Sequence, residues 1–150
     1  MKHLEILPGT GLGEIRFGMT REEVAGLMGD PAEVDVFEDD EPGNQVESWH
    51  YDEADVSFAF EEAEEWKLTT MAVSSEEYKI DGVALIGLSK EAAFSQLDKM
   101  NIDRNFDEES GQDLHFSNET GLNFWMDGDV LREIQWSAEI DDDDKVIWPS

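Results

Sequence analysis

Two stretches of the chain follow the same order of residue types, and this internal repeat constrains the fold more than any other feature. Residues 15–24 read IRFGMTREEV and residues 84–93 read ALIGLSKEAA. The parallel continues at residues 49–51 and 114–116, 56–58 and 122–124, and 68–73 and 131–136. Self-similarity of this kind reports architecture more reliably than a local motif. We therefore predict a first repeat over residues 1–80 and a second over residues 81–150, packed together as one compact domain.

Each repeat is predicted to begin with a helix and to continue as an antiparallel sheet. Thr20 and Ser89 are typical N-cap residues, and Glu23 completes a capping box with Thr20. Gly29 and the proline two residues later end the first helix. Downstream segments such as 56–61 alternate apolar and polar residues, which indicates strands with one buried face. The predicted fold is α+β, with two tandem helix-plus-antiparallel-sheet repeats.

Residues 15–31 carry a family resemblance. A strand, then Gly-Met-Thr-Arg-Glu-Glu-Val, then Leu-Met-Gly-Asp-Pro is similar to the pattern of the SmpA/OmlA-like and beta-lactamase inhibitor protein superfamily. The resemblance implies a helix before a short antiparallel sheet, present twice in tandem in the inhibitor protein. Residues 6–31 also resemble small cytosolic bacterial proteins of unknown function. The second repeat departs from the pattern, since Leu88 replaces the methionine and no Leu-Gly-x-Pro follows.

The charge of the chain limits its partners. The formal net charge is −28 at pH 7, and the acidic runs are spread along the sequence. Nucleic acid and anionic membrane surfaces are disfavoured, because both are bound through Lys and Arg. A basic protein partner is favoured, since complementary charge accelerates encounter. Adaptation of the surface to high salt, with no basic partner, is the competing interpretation.

The sequence contains no recognisable catalytic or cofactor motif. The chain has no Cys and no G-x-S-x-G elbow. Residues 13–20 miss the lysine of a phosphate-binding loop, and the contiguous acidic run at 141–144 lacks the spacing of a calcium loop. His50 and His115 occupy matching positions, and both side chains are predicted to point opposite their strand neighbours, toward the open face or the second layer. A third metal ligand is not evident, so we expect the histidines to be structural, with no metal and no cofactor.

The candidate binding residues are one tryptophan and two acidic segments. Trp125 is adjacent to Phe124 in the strand, so the two side chains point to opposite faces of the sheet. Trp125 is therefore predicted to lie on the open face as an interface anchor. The alternative is that the two halves pack over it. An acidic segment follows the helix in each repeat, and the two segments are predicted to flank a common surface. The rim residues are Asp39, Asp40 and Glu41 in the first repeat, and Asp107, Glu108 and Glu109 in the second.

These observations predict a non-enzymatic acidic binding or inhibitor protein. Its most concrete form is an immunity protein that neutralises a basic bacterial toxin, which is a conclusion by analogy with the fold. A small enzyme or regulator with a carboxylate and histidine, metal-assisted site in the sheet cleft is the alternative. Residues 1–5 lack the apolar core of a signal peptide, and no acylated cysteine is present, so we expect a cytoplasmic location rather than the outer-membrane role of the lipoprotein relatives.

Overall fold

The computed structural model describes residues 5–39, 42–109, 111–143 and 145–149, and its fold is α+β. Two α-helices pack against one face of an eight-stranded antiparallel sheet, and short two- and three-stranded hairpins surround them. In chain order the elements are β1 (Ile6–Leu7), β2 (Gly11–Leu12), β3 (Ile15–Arg16), α1 (Arg21–Met28), β4 (Glu33–Glu38), β5 (Gln45–Tyr51), β6 (Val56–Glu61), a 3-10 turn (Glu62–Glu64), β7 (Lys67–Val73), β8 (Lys79–Ile80), β9 (Val83–Ala84), α2 (Lys90–Lys99), β10 (Asn105–Phe106), β11 (Leu114–Phe116), β12 (Asn123–Asp127), β13 (Val130–Ser137), β14 (Glu139–Ile140) and β15 (Val146–Ile147).

The helices begin where the capping residues predict. Thr20 Oγ1 accepts a hydrogen bond from the Glu23 amide at 3.2 Å, and Glu23 Oε1 accepts one from the Thr20 amide at 3.1 Å. Ser89 Oγ accepts from the Ala92 amide at 3.2 Å. A reciprocal bond is impossible there, because alanine has no side-chain acceptor. The predicted capping box in α1 is therefore confirmed, and α2 has the simpler cap.

The central sheet is a single layer with the strand order β10-β11-β12-β13-β7-β6-β5-β4. Each helix is followed in sequence by four neighbouring strands, and the last strands of the two sets, β7 and β13, pair at the centre. Their register joins Ile134 to Val73 and Trp136 to Met71. The six-residue strand β4 and the two-residue strand β10 form the two edges, so the two halves lie side by side rather than face to face.

The core lies between the sheet and the helices. One face of the sheet buries large aromatic side chains, among them Phe58, Phe60, Phe124 and Trp136, and they pack with Val24 of α1 and with Ala93 and Leu97 of α2 in one cluster. The period-two alternation in residues 56–61 and 122–126 thus assigns the buried face correctly. Burial of this apolar surface is the main term that stabilises the fold.

Candidate binding face of the sheet

The face of the sheet that points away from the helices carries polar and small side chains at its centre and a few large apolar ones toward its edges, and we call it the open face. Cross-strand pairing carries one row of residues across all eight strands. From β4 to β10 this row is Glu33, His50, Ser57, Ala72, Gln135, Asn123, Phe116 and Asn105. Because side chains alternate along a strand, the residues two positions away share the same face.

A shallow depression occupies the middle of the open face. Its volume is about 260 Å³, and small residues such as Ser57, Ala59 and Ala72 line it. Phe37 borders it from β4 and is 50% exposed. Glu133 and Gln135 border it from β13. None of the described residues that line the depression is Lys or Arg, so the site combines apolar floor with acidic and neutral polar walls.

Trp125 lies on the open face, as its parity predicts. It is half-buried, and its cross-strand neighbours are Leu114 on β11 and Glu133 on β13. The indole Nε1 donates a hydrogen bond to Gln135 Oε1 at 3.3 Å. Leu114 is only 8% exposed beside it. The indole is thus held beside Gln135, which lines the depression, with part of its surface in solvent. Its function as an anchor stays a prediction.

The two acidic segments lie on opposite edge strands. Asp39 follows β4, lines a neighbouring depression of about 240 Å³, and accepts a hydrogen bond from Asn44 Nδ2 at 3.1 Å. Asp107, Glu108 and Glu109 follow β10, and the Glu109 amide donates to Asp107 Oδ1 at 3.1 Å. Seven strand spacings of ~4.8 Å lie between the edges, so the path along the sheet is about 34 Å and the direct distance is shorter where the sheet twists. A single partner would have to span the sheet to touch both segments. Asp40 and Glu41 lie outside the described residues.

Glu133 is a site residue that the sequence analysis did not single out. Burial raises the pKa of the Glu133 carboxyl, because an ionised carboxylate loses hydration against the sheet. It also lines a further depression of about 190 Å³ with His50, Ser57 and Glu33. Its position between buried Leu131 and Ile134 was visible in the sequence, but its partial burial depends on the neighbouring strand β7.

The two histidines do not occupy equivalent places, because His50 points to the open face whereas His115 points to the layer of helices. His50 lies on the open face beside Ser57 and Asp35, at 2.8 and 2.9 Å. His115 packs against Phe94 of α2 and Phe106, with ring centroids 4.8 and 5.1 Å apart. His115 faces the helices because its cross-strand partner is the buried Phe124. Leu114 and Phe116, on either side of His115, therefore lie on the open face. A shift of one residue exchanges the faces of a strand.

A second acidic depression lies beside the end of α1. Its volume is about 470 Å³, and Asp30, Asp52, Glu53 and Tyr51 are among its lining residues. The Tyr51 hydroxyl donates to the Gly29 carbonyl at 2.8 Å. Burial, with the neighbouring Asp30 charge, raises the pKa of Tyr51 to about 12. The phenol therefore remains a neutral donor at physiological pH, and the carboxylates give this depression a preference for cations.

Comparison of the chain with protein-family models, curated proteins and solved structures finds no match. Among the described residues, neither helix has the length and apolar character needed to cross a membrane.

Proposed function

We propose that the chain is a non-enzymatic acidic binding protein that captures a basic protein on the open face of its sheet. The observation that carries the proposal is the depression on that face, which has a floor of small residues, the half-exposed Phe37 at its border, and no Lys or Arg among the described residues that line it. In its most concrete form the protein is a cytoplasmic immunity protein that neutralises a basic bacterial toxin.

The charge supports a cationic partner. The chain carries 38 acidic and 10 basic residues, and Glu33, Glu133 and Asp39 lie at the depressions of the open face. An acidic surface attracts a cationic protein over several ångströms and raises its rate of association. Carboxylates at the border of an interface mainly change kon and its salt dependence.

The aromatic borders supply the short-range part of the interaction. Phe37 lines the small-residue floor, and Trp125 donates a hydrogen bond to Gln135, which also lines it. A protruding basic side chain of the partner would lay its aliphatic stem against this floor. Tryptophan is among the residues that most often dominate interface energies. Loss of Trp125 is expected to cost about 2 kcal/mol or more of binding energy, which corresponds to roughly a 30-fold increase in Kd.

The test begins with capture of partners from the source organism by the immobilised chain, followed by binding kinetics across a salt series. We expect Trp125→Ala to raise koff, while Asp39→Asn lowers kon. Phe106→Ala is the matched control, because Phe106 is 53% exposed but contacts His115 on the helix side. A cationic partner whose kon is independent of salt, or whose koff is unchanged by Trp125→Ala, would contradict the proposal.

We further propose that the two halves are tandem copies of one unit, as in the inhibitor protein that the sequence resembles. The support is a repeated backbone pairing. The Gly18 amide donates to the Leu68 carbonyl at 2.9 Å, and the Gly87 amide donates to the Leu131 carbonyl at 2.9 Å. The return bonds run from the Leu68 amide to Met19 at 2.9 Å and from the Leu131 amide to Leu88 at 3.0 Å. In a crystal structure, residues 15–73 and 84–138 are expected to superpose with the same strand order.

A small enzyme or regulator remains the second candidate function. The observation that favours it is that His50 and Glu133 line the same depression of about 190 Å³. A carboxyl group with a raised pKa near a histidine is a common arrangement for proton transfer. One variant distinguishes the two candidate functions: Glu133→Gln would abolish an enzymatic activity, whereas it would only weaken capture of a basic partner, because Glu33 and Asp39 keep their charge at the depressions of the open face. If no partner is captured and the fold requires high salt, the acidity is salt adaptation instead.

A further inference from the structure

Three potential metal ligands meet where the edge strand β4 pairs with β5. Glu33 and Asp35 lie on the same face of β4 because they are two residues apart, and Glu33 is the direct cross-strand partner of His50. One ligand atom from each of the three side chains lies within 4.8 Å of the others. His50 Nε2 is 2.9 Å from Asp35 Oδ2. Rigid sheet pairing, rather than a loop, sets these positions.

The imidazole of His50 is oriented from its other side by a residue outside this group. His50 Nδ1 lies 2.8 Å from Ser57 Oγ on the neighbouring strand β6. A metal-binding histidine usually makes such a hydrogen bond with the ring nitrogen that does not bind the ion, because the bond fixes the tautomer and the ring plane. In the metal-free arrangement Nε2–H donates to Asp35 and Nδ1 accepts from the Ser57 hydroxyl. A bound cation would displace the Nε2 proton, after which Nδ1–H would donate to Ser57 and the Nε2 lone pair would face the ion.

In the other histidine–aspartate pair of this protein, the charge of the carboxylate is balanced by a lysine. Asp113 contacts His115 Nε2 at 2.8 Å and also accepts a hydrogen bond from the ammonium of Lys90. That lysine neutralises the carboxylate. Glu33 and Asp35 have no Lys or Arg partner in the described ion pairs. Two carboxylates beside a single imidazole therefore keep an excess of negative charge, which a divalent cation would balance.

We propose that Glu33, Asp35 and His50 form a binding site for a divalent transition-metal ion of the Zn²⁺ class. One imidazole nitrogen and two carboxylate oxygens suit such an ion better than Ca²⁺ or Mg²⁺, which take oxygen ligands. The side chains are exposed or half-buried beside the depression of about 190 Å³, so water completes the coordination. The ion ties β4, whose outer edge pairs with no strand among the described residues, to β5. The site shares Glu33 and His50 with the open face, but its test uses the chain alone and does not require a partner.

The test is calorimetric titration of ZnCl₂ into the chelator-treated full chain, with a large excess of MgCl₂ to occupy non-specific acidic sites. We expect a single saturable site that His50→Ala abolishes. Ser57→Ala is expected to weaken it about tenfold or more through the lost orienting bond. Glu14→Gln, which removes an exposed carboxylate far along the chain from β4 and β5, is the control for charge alone and should leave the affinity unchanged.

A spectroscopic readout keeps the test independent of whether a variant folds. In the wild-type chain, Zn²⁺ should shift the imidazole resonances of His50 at one equivalent, while those of His115, enclosed by Phe94 and Phe106, stay in place. The melting temperature should rise with Zn²⁺ concentration, because the ion binds only the folded pairing of β4 and β5. The proposal is overturned if MgCl₂ eliminates Zn²⁺ binding, if His50→Ala binds as well as the wild type, or if the His50 resonances do not move.

Discussion

Replacing the glycines that enter α1 and α2 should reveal a difference between the two otherwise similar halves. Gly18 and Gly87 have φ angles of 95° and 96°, which side chains of L-residues rarely adopt. Their amides are held by hydrogen bonds to Leu68 and Leu131, both at 2.9 Å, so the turns cannot easily relax. An alanine at such a φ is strained by ~1–2 kcal/mol. Gly87→Ala should destabilise the fold by about this amount.

Gly18→Ala should lower the free energy of unfolding more than Gly87→Ala. The reason is that Trp148, near the C-terminus, packs over the turn at Gly18 but not over the turn at Gly87. A Cβ at residue 18 would lie 3.0 Å from Trp148 Cε3, whereas a Cβ at residue 87 would meet the Glu76 side chain at 3.5 Å. Carbon atoms pack best at about 3.5–4.0 Å, and overpacking typically costs about 1–3 kcal/mol. The total for Gly18→Ala is therefore roughly 2–5 kcal/mol, or a loss of at least about 4 °C in Tm for a chain of this size.

Urea denaturation followed by tryptophan fluorescence measures these differences. Gly26→Ala is the control: Gly26 lies within α1 with nothing near its would-be Cβ, so this change should stabilise the fold by ~0.5–1 kcal/mol. In a Trp148→Ala background, Gly18→Ala should cost no more than Gly87→Ala, and the cycle isolates the contact. Equal costs for the two glycines in the wild-type background would refute the Trp148 contact. No cost at either position would refute the strain argument.

Two further predictions concern pH and are checked by urea denaturation at a series of pH values. Because burial raises the pKa of Glu133, wild-type stability should increase as pH falls through the folded-state pKa, and Glu133→Gln should be more stable at neutral pH and lose this dependence. The pKa of Asp113 is lowered chiefly by the hydrogen bond from Lys90, so the stability that it provides should be lost as pH falls below its unfolded value and through its folded value. Lys90→Met should reduce this loss of stability at low pH. If either variant has the same dependence of stability on pH as the wild type, the cause given for that pKa shift is wrong.

Local sequence signals predicted the helices and the buried strand faces because their causes are local. Thr20, Glu23 and Ser89 cap helices through neighbours three residues away. Alternation placed Phe58 and Phe124 in the core and Trp125 on the open face. Such features depend on the period of the backbone and on nearby hydrogen-bond partners, and both can be read along the chain.

The pairing of distant strands decided what local signals could not. His50 meets Glu33 and Asp35 only because β4 pairs with β5 in one register. His115 faces the helices because β11 pairs with β12 one residue away from the alignment that the repeat implied, and a one-residue difference exchanges the faces of a strand.

The sequence by itself determined the charge of this protein, the places where its helices begin and the faces that β6 and β12 bury. The tertiary structure alone decided that β7 and β13 join the halves into one sheet, that the acidic segments lie on opposite edges, and that Trp148 covers Gly18. The physical reason is range. Capping and alternation act over a few residues, whereas register and edge-to-edge order follow from the burial of apolar surface shared between segments far apart in the chain.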